Sequence, residues 1–109
     1  NALPIIALKG IPLNFQQAIT DALKSLPAHH ISDKLIERIS YSDEYIISSS
    51  GNSIQANTHF SQIGNKPVII LNKQTPDGFT NTEALQIAVA HEVGHVVYEV
   101  IWNERIGSL

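Results

Sequence analysis

The stretch TNTEALQIAVAHEVGHVVYEVIW, residues 80–102, decides how this chain is read. Thr80 with Glu83 three residues on is a capping-box pattern, in which two side chains satisfy backbone N–H groups that a helix start leaves open. A helix is therefore expected from about Asn81 to Trp102. Leu85, Ile87, Val89, Val93, Val96, Val97, Val100 and Ile101 leave it apolar nearly all round, and such a helix belongs in the middle of a domain. Within it stand His91, Glu92, Val93, Gly94 and His95, the pattern HExxH.

The spacing has a mechanical reason. Residues four apart on a helix share a face, about 5–6 Å from each other. His91 and His95 can thus each aim a ring nitrogen at one ion, with Zn–N bonds of about 2.0–2.1 Å. Glu92 lies one step round from His91, out of line for an ideal third ligand. It is placed to take a proton from water at an open coordination position. The expected cofactor is one Zn²⁺, with His91 and His95 as metal ligands and Glu92 as the catalytic residue.

Composition alone would produce this pattern in about one shuffled chain per hundred, so its setting matters. Two imidazoles and a carboxylate in a buried helix are expensive to bury without a metal or a partner. Gly94 costs about 1 kcal/mol of helix propensity, which points to a close backbone approach there. The bland alternative is a pair of satisfied core histidines.

Outward from this helix, Lys66-Pro67-Val68-Ile69-Ile70-Leu71 reads as a strand whose apolar run implies that both faces are covered. Pro76-Asp77-Gly78 is a turn. Residues 36–41, 45–48 and 53–60 read as short strands, with Ser48-Ser49-Ser50-Gly51-Asn52 as a loop or hairpin turn. Asn14 and Gln17 form a second capping-box pattern, opening a helix that runs to about Leu26 and stops at Pro27. Phe15, Ala18, Ile19, Ala22, Leu23 and Leu26 form its apolar face.

With 109 residues, 43% of them hydrophobic, the chain suits one domain with a real core. Asn1-Ala2 and the absence of methionine read as the scar of a cleaved expression tag. Residues 3–109 are then expected to be a single domain excised from a longer polypeptide or truncated at its C-terminus. The net charge of −3 argues against nucleic-acid and anionic-membrane partners. No segment is long and apolar enough for a transmembrane span. The lack of cysteine excludes a disulfide scaffold, a CxxC zinc site and a thiol nucleophile, and leaves localisation and oligomeric state open.

His91, Glu92 and His95, preceded by a strand-rich half and the strand at 68–71, resemble the zincin clan of metallopeptidases. Within it the chain is similar to the gluzincins, among them lethal-factor-type catalytic domains and the single-domain minigluzincins. The form HExGH also occurs in peptidase-like regulators. The metzincin pattern would put Gly at position 98 and His at 101, where this chain has Tyr98 and Ile101. The resemblance implies an α+β, zincin-like fold: an N-terminal helix and a small twisted sheet of about three to four strands packed on the long helix that bears HExxH. It implies an edge strand that pairs with an extended peptide or protein substrate, here the segment Gln55-Ala56-Asn57, with Ala56 and Asn57 as substrate-binding residues. It implies a zinc-dependent hydrolysis of peptide bonds and a third ligand, usually Glu, well downstream of His95.

That third ligand is not evident. Glu99 lies about 12 Å along the axis from His91, and Glu104 follows the expected helix end too closely to turn back. It is expected beyond Leu109. The competing reading is a non-catalytic or latent module of the same fold, acting as a sensor or protein-binding domain. Elsewhere, His29-His30 reads as a solvated turn, His59 as a packed or surface residue, Tyr98 as core, and Ser48-Ser49-Ser50 as loop.

Overall fold

The computed structural model describes residues 2–60 and 66–102. Strand β1 is Ile5–Ala7, helix α1 is Leu13–Lys24, and β2 is Arg38–Tyr41. Strand β3 is Ala56–His59, β4 is Val68–Leu71, and helix α2 is Thr82–Val96, continued by a π-helical turn over Val97–Trp102. The four strands form one mixed sheet in the order β1-β2-β4-β3. β1, β2 and β4 are parallel, whereas β3 runs antiparallel to β4 at the edge. The architecture is an α+β domain with two helices and a four-stranded sheet.

Strand alternation decides what the sheet buries. Ile39, Ile69 and Leu71 are fully buried, while Arg38 is exposed and Val68 and Ile70 are half-buried. One face is therefore sealed and the other partly covered, which corrects the expectation that both faces of residues 68–71 are covered. Phe15, Ile19 and Leu23 of α1 join Leu85, Val89, Val93 and Val96 of α2 in the same core. All six apolar residues expected on the face of α1 are buried or packed against that core. The amide of Gln86 ties the helices together by donating to the carbonyl of Ala18 at 3.0 Å.

Several local expectations change. α1 starts one residue before Asn14, behind Pro12, which makes no side-chain cap. Asn14 is inside the helix, and Gln17 donates instead to Asp21 one turn on. α2 is capped by Asn81 and not by Thr80: the Asn81 side chain accepts from the Ala84 N–H at 3.0 Å. Residues 45–48 are not a ladder strand. They contribute one isolated bridge, Ile47 to Ser53, around the turn at Gly51. β1 is a strand that its three apolar residues were too few to announce; its ladder to β2 joins Ile5–Ala7 to Arg38–Ser40.

Two turns stand as expected. Gly78 closes the Thr75–Gly78 turn at φ +128°, a conformation that side chains resist. Ser48 and Asn52 bond across the serine-rich loop. No helix among the described residues is long and apolar enough to cross a membrane.

Candidate metal centre

α2 has a buried side and an open side, and the difference arranges the site. Leu85, Val89, Glu92, Val93 and Val96 are buried, whereas His91, Gly94 and His95 are exposed. Ile87 is 71% and Tyr98 55% exposed. This corrects two expectations: the helix is not covered all round, and Tyr98 is not core. Helical geometry explains it, since 87, 91, 94, 95 and 98 fall within one broad arc opposite the packed stripe.

His91 and His95 converge as their spacing requires. Their Nε2 atoms are 2.9 Å apart and their rings meet edge to face at 4.4 Å between centroids. A carboxylate oxygen of Glu92 and one nitrogen from each ring all lie within 4.8 Å of one another. Among the described residues, this is the group of three His, Cys, Asp or Glu side chains able to hold a metal ion. The donor set fits a borderline cation: two imidazole nitrogens on an exposed face, with a carboxylate beside them.

Glu92 differs from its neighbours. It is 8% exposed, and the hydroxyl of Thr58 on β3 donates to its Oε1 at 2.7 Å. A buried carboxylate needs such a donor, and hydrogen bonds to charged oxygens are the stronger kind. Thr58 was not singled out in the sequence. Its signal is period-two alternation: Ala56 packs against the core, so the residue two further on presents the same face.

β3 occupies the edge of the sheet, as the segment Gln55-Ala56-Asn57 was expected to do. Gln55 itself precedes the strand. Between this edge and α2 lies a cleft of about 420 Å³, lined among others by Ile54, Ala56, Ala84, Ala88, His91 and Glu92. Asn57 is on β3 but does not line it. A second hollow of about 320 Å³ lies on the other flank of α2, where Leu26, Val93, Gly94, Val97 and Tyr98 meet. A Cβ built on Gly94 would meet nothing within 4 Å, so no close backbone approach explains this glycine.

The remaining candidates stay apart from the centre. His29 and His30 sit in a 3₁₀ turn, their rings touching edge to face at 4.2 Å despite being neighbours in sequence. His59 is exposed at the end of β3. Glu104 lies outside the described residues.

No family model matches this chain, and neither a curated protein nor a solved structure is significantly similar to it.

Proposed function

We propose that this chain carries the metal-binding core of a zinc-dependent peptidase, with His91 and His95 as ligands and Glu92 as general base and acid. The observation that carries the reading is the convergence of the two Nε2 atoms beside a buried carboxylate, at a cleft bordered by a sheet edge. Zinc held by the two imidazoles would act as a Lewis acid, polarising a substrate carbonyl and making water a better proton donor. Glu92 then takes the proton from water and returns it to the leaving amine. Burial keeps the Glu92 carboxylate from competing solvent, and Thr58 holds it in place.

The substrate class follows from the edge. Among the described residues β3 pairs with β4 along one side, so its other side would offer N–H and C=O groups to an extended chain. A peptide added there would run along the cleft, pairing with the backbone of Ala56 and Asn57, with the side chain of Ala56 facing the cleft. The third ligand that a catalytic zinc takes would come from outside the described residues. A second reading is favoured by that same gap: with two imidazoles alone, the module binds metal or protein without hydrolysis.

The test is hydrolysis of a peptide library by metal-loaded protein, with chelation and zinc re-addition. Activity lost on chelation and restored by zinc supports the peptidase. Stoichiometric zinc uptake with no cleavage of any peptide supports the second reading.

A further inference from the structure

We propose that Thr58 is a positioning residue for Glu92, fixing which carboxylate oxygen handles the proton; this rests on the peptidase reading above. Thr58 belongs to β3, and its backbone is held in register opposite Ile69 of β4. Its hydroxyl crosses from sheet to helix and donates to Glu92 Oε1 at 2.7 Å, between residues 34 apart in sequence. The β-branched side chain has few rotamers, so the position of the hydroxyl is set by the sheet.

The consequence is a division of labour within one carboxylate. Oε1 already accepts from the hydroxyl of Thr58, which lowers its basicity relative to Oε2 and directs the incoming proton to Oε2. When water gives its proton to Glu92, the O–H forms on Oε2, and Thr58 continues to donate to Oε1. Without the hydroxyl either oxygen can take the proton, and the carboxylate can turn about its χ3. The same link ties the base to the strand on which an extended substrate would pair. Base and substrate thus share one frame, and a displacement of the strand carries the base with it.

The test compares Thr58→Val, which keeps the shape and loses the donor, with Thr58→Ser, which keeps the donor. The side-chain carboxyl ¹³C resonance of Glu92 is identified in labelled protein by its disappearance in Glu92→Gln. Thr58→Val is expected to shift that resonance and to lower kcat about tenfold with KM unchanged, as for loss of one bond to a charged group. Thr58→Ser should restore both, and circular dichroism should show all variants folded. An unmoved Glu92 resonance in Thr58→Val, or a kcat equal to that of the parent, overturns the proposal. If a parent protein that includes the third zinc ligand cleaves no peptide, the peptidase reading fails by itself. The carboxyl resonance then still reports whether Thr58 orients Glu92.

Discussion

Gln74 and Gln55 join the end of the sheet to the start of α2: Nε2 of Gln74 donates to Oε1 of Gln55 at 2.7 Å. The same nitrogen donates to the carbonyl of Asn81 at 2.7 Å. Oε1 of Gln74 accepts from the N–H groups of Thr80 and Asn81, at 2.7 and 2.9 Å. One buried amide therefore sets the distance between the approach to β3 and the helix cap. Removing it strands several backbone groups at once. Gln74→Ala should cost about 2–4 kcal/mol, summed from unsatisfied groups at about 1–3 kcal/mol each with partial relaxation. Gln74→Glu should also destabilise at neutral pH, because a carboxylate cannot donate to Gln55 and Asn81. Urea denaturation of the two variants measures both.

Metal uptake should depend on the two exposed histidines of α2. Protein purified without chelator is expected to hold zinc, and His91→Ala and His95→Ala should each lose most of it. Elemental analysis of the three proteins decides the matter. Equal trace metal in all of them would show that the convergence of the rings has no ligand role.

Glu92→Gln keeps the shape of the side chain and removes its basicity. Hydrolysis should fall by about 10²–10⁴-fold, the usual worth of a general base. Zinc content and the circular dichroism spectrum should stay close to those of the parent. Undiminished turnover in this variant rules out Glu92 as the base.

Gly94→Ala should stabilise the protein by about 0.5–1 kcal/mol. Gly94 is in regular helix, and an added Cβ has open space before it. The alanine gains helix propensity without a clash. A fall in melting temperature would mean that the hollow beside Gly94 is filled in the folded protein.

Tyr41 should titrate late. Burial of its ring, its hydrogen bond to Asp43 at 3.0 Å and the charge of Asp43 push its phenol up from 10.0 to about 12. The folded state therefore holds the phenolic proton more tightly than the unfolded chain does. That contribution to stability is complete below pH 10 and is lost as pH rises from about 10 to about 12. Absorbance of phenolate against pH should show a component near 12 that is absent from Tyr41→Phe. A parent protein whose three tyrosines all ionise together near pH 10 would contradict it.

Legibility in the sequence followed the strength of local signals. The convergence of His91 and His95 could be read directly because i and i+4 spacing is a property of one helix, independent of everything packed around it. The face of α1 could be read for the same reason. What escaped were pairings across the chain. Nothing local distinguishes Ile5–Ala7 from an apolar loop until β2 lies beside it. Thr58 was an ordinary strand threonine until α2 brought Glu92 to it. The exposure of Ile87 and Tyr98 was hidden because hydropathy reports what a residue prefers, not which flank its neighbours cover. The cap of α2 slipped by one residue, since Thr80 and Asn81 are both good caps and the buried amide of Gln74 holds the backbone N–H groups of both.

The bond from Gln86 to Ala18 spans 68 residues, and it dates the assembly of the domain. A ribosome adding about 5–20 residues per second needs roughly 3–14 s to travel that far. Throughout that interval the apolar face of α1 has no helix to lie against, and β2 waits for β4. Contacts so distant in the chain slow folding, because a large loop must close before any of them forms. The nascent chain therefore lacks the α2 side of the cover over Phe15, Ile19 and Leu23 until residues 82–96 emerge. Binding by a holdase chaperone, or aggregation when none is present, belongs to that window.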